Sequence, residues 1–254
     1  MFLADYHTHT RYSHGIGSVM DNAMVAKEKN LREIAITDHG FSHITYGIRR
    51  KDLDNLRRDC IEASEVSGVK VLMGIEANIN SLGTDLKPDD FRAFDIILAG
   101  YHKFAMPGRF SDFFNFTIPS ALDTILKVKP SDRVDKLMTR AVVKAITTTP
   151  IDILTHISYG IHVDVGEVAK ACRDYGTCIE LNGKRICLNR DEFETILSSG
   201  VRLVVNSDAH SPDKVGDFSR GEEYLSQYSS EIIERVVNYE GVATDLRWYG
   251  RRDI

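Results

Sequence analysis

The feature that most restricts this chain is a rhythm of short apolar runs, each followed by a polar or glycine-containing break and then a helical pattern. The runs occupy residues 2–4, 33–36, 69–73, 95–99, 151–154, 177–179 and 201–205, which makes seven strand candidates. Helical spacing falls between them at 18–29, 50–66, 131–147, 164–174, 189–198 and 229–238. Asp164 with Glu167, and Asn189 with Glu192, have capping-box spacing and mark two helix starts. Strand and helix alternating without a linker or internal repeat predict a parallel sheet covered by helices. A barrel and a doubly wound sheet both satisfy that pattern. No boundary interrupts it, so residues 1–254 are expected to form a single domain.

A chain of 254 residues with 43% hydrophobic composition can bury a large core without disulfide or metal stapling. Its 32 basic against 37 acidic residues leave a net charge of -5, which argues against the broad basic footprint of a nucleic-acid binder. Asp5 interrupts the N-terminal apolar run too early for a signal peptide, and no run approaches the span of a bilayer. No membrane partner is expected, and the location is expected to be cytoplasmic. Cys60, Cys172, Cys178 and Cys187 form no C-x-x-C pair and receive no role. One stretch is irregular: residues 101–130 contain Phe104, Phe110, Phe113, Phe114 and Phe116, too many for a solvated loop. It is expected to form a lid over a pocket, or an interface.

The chemistry-bearing residues keep phase with the strands. The first run leads into Asp5-Tyr6-His7-Thr8-His9, with His14 shortly after; in extended backbone His7 and His9 face the same side, as a shared metal requires. An H-x-H pair alone is as often structural as metal-binding. The later runs, however, also end in ligand-type residues: Asp38-His39, Glu76, His102, His156, Glu180-Leu181-Asn182 and Asp208-Ala209-His210. In a parallel α/β barrel those ends meet at one face. His7, His9, His14, His39, His102, His156 and His210, with Glu76 and Asp208, offer more nitrogen and oxygen ligands than one four-coordinate zinc accepts, so at least two metals are implied. Asp5, Asp38 and Glu180 are placed to orient imidazoles, and His43 and His162, out of phase, read as loop residues.

This ordered set, from Asp5-Tyr6-His7-Thr8-His9 through Thr37-Asp38-His39-Gly40 and Gly74-Ile75-Glu76 to Asn206-Ser207-Asp208-Ala209-His210, resembles the polymerase and histidinol phosphatase (PHP) family, in particular its small stand-alone YcdX-type phosphoesterases. The resemblance spans residues 5–217 and implies a distorted (β/α)7 TIM-like barrel with a trinuclear site. One metal would take His7, His9, Glu76 and Asp208; a second would share Glu76 and take His102 and His156; a third would take His14, His39 and His210. Zinc is the first expectation, manganese or iron the alternatives.

The implied activity is hydrolysis of a small phosphomonoester, histidinol phosphate among the candidates, by a metal-bound hydroxide. Asp38 and Lys103 are the expected catalytic side chains, and Lys103, Arg109, Lys184 and Arg185 the expected phosphate binders. Alternative readings are an amidohydrolase-like hydrolase, a metal-dependent DNase and a non-catalytic PHP module.

Overall fold

A computed structural model describes residues 1–81, 83–103, 105–106, 111, 113–114, 118, 132–242 and 246. The seven predicted runs are all strands: β1 (Ala4–Thr8), β2 (Glu33–Ile36), β3 (Lys70–Asn80), β5 (Ile96–Gly100), β6 (Ile153–Leu154), β7 (Cys178–Asn182) and β8 (Leu203–Asn206). A two-residue strand, β4 (Gly83–Thr84), folds back antiparallel on the long end of β3 and had no signature in the pattern. The other seven are parallel, in the order β1-β2-β3-β5-β6-β7-β8. The sheet curls until its edges meet. His9 N–H donates to Ala209 O at 2.8 Å, Ala209 N–H to His7 O at 3.2 Å, and Tyr6 N–H to Asn206 Oδ1 at 2.9 Å. The result is a nearly closed, distorted (β/α)7 TIM-like barrel.

The helices α1 (Val19–Glu28), α2 (Leu53–Ser67), α3 (Asp132–Thr148), α4 (Val165–Tyr175), α5 (Arg190–Ser199) and α6 (Ser219–Leu225) form its outer layer. Asn189 and Glu192 complete the capping box expected before α5. Asp164 caps α4 by accepting from Glu167 N–H, while its own N–H donates to Thr139 Oγ1 at 2.9 Å rather than to Glu167. Among the described residues no helix is long and apolar enough to cross a membrane.

Two expectations need correction. Residues 229–238 are not an α-helix; a short 3-10 turn, Ser230–Arg235, is followed by Val236 and Val237, both fully buried. Val237 N–H donates to Leu203 O at 2.9 Å, so the segment pairs with β8 instead of continuing its own helical ladder. Strand β1 starts at Ala4 rather than Phe2, because Phe2 bridges to Tyr239 and packs on Phe218 with ring centroids 4.7 Å apart.

The strands bury both faces, as a parallel sheet must. Ile34, Ile36, Met73, Ile75, Ile97, Ile179 and Val205 point outward into the helix layer. A separate cluster fills the barrel interior: Ala4, Tyr6, Ala35, Leu72, Ile96, Leu98, Ile153, Cys178 and Val204, closed from below by Val237 and Leu246.

Candidate metal centre

Side chains two apart share a face, so each inward file can be followed upward from that apolar floor. On β3 the file runs Leu72, Gly74, Glu76, Asn78; on β5 it runs Ile96, Leu98, Gly100 and on to His102; on β7 it runs Cys178, Glu180, Asn182. Each begins apolar and ends polar. Two strands change phase. In β1 an extra residue between Asp5 and Thr8 breaks the register with β2, which turns His7 and His9 inward above the inward-facing Ala4 and Tyr6. After β6, His156 takes a left-handed φ of 30°. Its backbone N–H donates to Glu180 Oε2 at 2.9 Å, which holds that turn against the strain. Gly100 makes room beside it, since a Cβ there would lie 2.6 Å from His156 Cε1 and 2.3 Å from Thr155 Oγ1.

Glu76 is the hub. Its Oε1 lies 2.9 Å from His156 Nε2, 3.2 Å from His102 Nε2 and 3.3 Å from His7 Nε2. Its Oε2 lies 2.9 Å from His39 Nδ1 and 3.7 Å from His9 Nε2. Asp208, itself left-handed at φ 53°, places Oδ1 3.4 Å from His9 Nε2 and 3.3 Å from His210 Nδ1. His14 stacks on His39 at 4.9 Å and meets His210 edge-on at 4.0 Å. All nine expected ligand residues therefore converge at the barrel mouth.

Ligand atoms within 4.8 Å of one another form three overlapping groups: His7-His9-Glu76, His39-Glu76-His102 and His9-His39-His210. The first follows the grouping expected from the resemblance. The other two cross it: His39 points its Nδ1 at Glu76, and His9 joins His39 and His210.

The orienting shell is selective. Glu180 Oε1 accepts from His7 Nδ1 at 2.7 Å and from Asn206 Nδ2 at 2.9 Å, which fixes the His7 ring with Nε2 facing the cluster. Asp5 accepts from Ser207 and Gly216 and so ties the barrel seam, without reaching an imidazole ring. Asp38, expected among the catalytic side chains, is engaged with the turn after β1. Its oxygens accept from Thr10 N–H at 2.8 Å, Thr10 Oγ1 at 2.6 Å and Ser13 Oγ at 2.5 Å, so it braces the turn that carries His14.

Burial favours neutral imidazoles, and repulsion among neighbours adds to it. His14 is pushed down to about 3 by burial and then by His210 and His39. His210 is pushed to about 4, chiefly by burial. Burial opposes charge on His7 as well, yet the carboxylates of Glu180, Glu76 and Asp208 outweigh it and hold that pKa well above the usual value. For Glu76 burial works upward, but His102, His7 and His39 prevail and keep it ionised well below the ordinary carboxylate range.

Seven buried atoms here have no hydrogen-bond partner: His7 Nε2, both nitrogens of His9, His14 Nδ1, His39 Nδ1, Glu76 Oε2 and His102 Nε2. Orphaned buried polar atoms are costly and rare, and seven at one point make a donor set suited to divalent cations.

Above this cluster opens a pocket of about 440 Å³. Lys103, Lys184 and Arg185 all line it, while Arg109 lies outside the described residues. Arg185 lays its guanidinium over the Tyr159 ring, 4.3 Å from the centroid, and donates to the Tyr159 hydroxyl. Of the expected lid, Phe113 and Phe114 are described, both largely exposed, and most of 101–130 lies outside the described residues.

His43 is the residue that phase reasoning passed over. The loop after β2 returns on itself through Gly47 N–H to His43 O, stacking the His43 ring on His39 at 5.1 Å with its pKa pushed down to about 4 by burial and then by His39 and His102. Its spacing of four from His39 was the available signal. Tyr46, stacked on His14 at 4.4 Å, and Tyr159 had none.

A parallel barrel that gathers imidazoles and carboxylates at one mouth has the form of the PHP proteins, and a sequence model described as the PHP domain matches residues 5–252. The chain belongs to that family. It is 28% identical over 254 residues to a protein of Shewanella piezotolerans named "Probable phosphatase", covering 93% of this chain and 89% of that one. A "Probable phosphatase" of Shewanella sediminis is 30% identical over 236 residues, covering 86% and 82%. Among solved structures, the histidinol phosphate phosphatase of Lactococcus lactis, complexed with zinc, L-histidinol and phosphate, superposes with a TM-score of 0.59 over 88% of this chain and 92% of that one. At 13% identity that likeness is one of fold.

Proposed function

We propose that the chain is a metal-dependent phosphatase that hydrolyses a small phosphomonoester at a site for three divalent cations, zinc first, manganese or iron as alternatives. The observation that carries this reading is the set of seven buried ligand atoms without a hydrogen bond beneath a pocket rimmed by Lys103, Lys184 and Arg185. His7, His9, Glu76 and Asp208 would hold one cation, Glu76 with His102 and His156 a second, and His14, His39 and His210 a third. Bound cations supply a Lewis acid for phosphoryl oxygens and an activated water.

The chain's own residues do the rest. Glu180 keeps His7 in one tautomer, and Asp38 holds the turn beneath His14. Lys103, Lys184 and Arg185 offset the charge that develops on the phosphoryl group. Tyr46, Tyr101 and Tyr159, the first and last stacked on side chains of the site, wall the leaving-group side. Histidinol phosphate is a candidate because the Lactococcus lactis protein binds histidinol and phosphate. The family match over residues 5–252 supports a single domain, and four cysteines that form no disulfide suit a reducing, cytoplasmic setting.

The test is turnover of a phosphoester panel containing p-nitrophenyl phosphate and histidinol phosphate by the zinc- or manganese-loaded protein. Chelation and His9→Ala should each abolish it. Turnover no higher than that of His9→Ala on every member would sink the proposal.

A further inference from the structure

Lys184 follows β7, and its backbone is clamped. Its N–H donates to Asn182 Oδ1 at 2.9 Å, the N–H of Arg185 donates to the same oxygen at 3.2 Å, and Asn182 Nδ2 donates to Asp208 Oδ2 at 3.2 Å. The side chain is less confined, 36% exposed against 13% for Asp208. Its ammonium lies 3.2 Å from Asp208 Oδ1 and donates to His210 Nδ1. That Oδ1 is the atom on which His210, His9 and His7 converge, at 3.3, 3.4 and 3.7 Å. That nitrogen stands between the ammonium and the Asp208 carbonyl oxygen, 3.0 Å away; an ammonium only donates and a carbonyl only accepts, so the Lys184 contact holds in the tautomer whose Nδ1 presents its single lone pair. A metal ion binding His210 through Nδ1 needs that same lone pair.

We propose that the Lys184 ammonium is a built-in counter-cation for Asp208 and His210, which competes with a divalent cation there and, once displaced, swings into the pocket to meet the phosphate. The inference rests on the reading of the mouth as a phosphatase metal site. One lone pair holds one partner, and two cations sharing Oδ1 in a poorly solvated site repel each other strongly. The clamp at Asn182 keeps the root of the side chain fixed, so its stem can exchange one position for the other. Metal affinity falls by the fraction of time the ammonium is docked. The phosphate-facing charge arrives only when the cation does, which couples substrate binding to metal occupancy.

The experiment titrates chelator-stripped full-length protein with zinc against a competing chelator, and compares the parent with K184A, K184M and K184R. If the ammonium is docked about nine-tenths of the time, K184A and K184M should bind one zinc about tenfold more tightly, while K184R, still cationic, stays near the parent. Thermal melting supplies an independent sign. The metal-free K184A and K184M proteins should melt below the metal-free parent, and the zinc-loaded variants should not. Unchanged affinity in both variants, or an equal loss of melting temperature with and without zinc, overturns the proposal. Failure of the phosphatase reading would show separately, as absence of turnover by the loaded parent.

Discussion

The floor and the mouth of the barrel are built by the same strands and obey opposite physics. At the floor Tyr6, Leu72, Ile96, Leu98 and Val204 pack side by side with almost no exposure. A few residues higher, Glu76, His7 and His9 are equally inaccessible, yet carry polar atoms with no hydrogen-bond partner. Burial stabilises the first layer and penalises the second until a ligand satisfies it. The barrel thus separates the layer that holds the fold from the layer that does chemistry, within one strand and a few residues of each other.

Breaking the mouth should give the largest effect. Glu76→Ala removes the carboxylate that five imidazoles face, and turnover should fall at least about a thousandfold. Elemental analysis should show metal lost in parallel; a variant with full metal and full turnover would erase the contrast. At the floor, Leu98→Ala leaves a cavity and should cost about 2–5 kcal/mol of stability in urea unfolding. Its metal stoichiometry should stay that of the parent. Reduced metal content without loss of stability would mean that the layers are not separate.

Glu180→Gln keeps the shape but weakens the acceptor that orients His7, so metal affinity measured by chelator competition should drop about 10–100-fold. An unchanged affinity would reduce Glu180 to a structural brace.

The smallest effect is a pH dependence of the metal-free protein. His14, His43 and His210 are held down to about 3, 4 and 4, mainly by burial, so the fold favours their neutral forms. Their contribution is complete above the ordinary value of 6.5 and drains away as the pH falls from there toward 4. The depressed Glu76 and Asp208 add to the loss at still lower pH. His7 and His156, raised by the carboxylates against the pull of burial, act oppositely, stabilising below 6.5 and ceasing to do so as the pH rises through their folded values. The three depressed histidines, joined by His9 and His102, outnumber them. The urea midpoint should therefore be lower at pH 5 than at pH 7, and a flat profile would contradict the assignment.

Strand order and ligand convergence were legible because both follow from a period of two and the geometry of parallel strands. The phase break in β1 was not: spacing puts His7 and His9 together, but only the extra residue between Asp5 and Thr8 turns them inward above Tyr6. His43 escaped because its place depends on how a loop closes, which no periodicity encodes. The partners of Asp38 were hidden for a related reason. A carboxylate beside a ligand has several partners within reach, and here the hydroxyls of Thr10 and Ser13 take it. The helix expected over 229–238 gave way to pairing with β8, a tertiary preference that outweighed local propensity.

The seam between β1 and β8 carries a consequence in time. Asn238 spans it, its Nδ2 donating to Ala4 O at 2.8 Å across 234 positions of sequence and its Oδ1 accepting from Val205 N–H at 3.2 Å. His7 and His9 stand on one side of that seam and Asp208 on the other. A nascent chain emerging from the ribosome can assemble β1 through β7 and still lack this closure. Loop-closure entropy for such distant partners makes the final step slow. The histidines of β1, made before the rest of the barrel, are therefore among the last to meet all their neighbours, and until then an open β1 edge is exposed to pairing with the wrong chain.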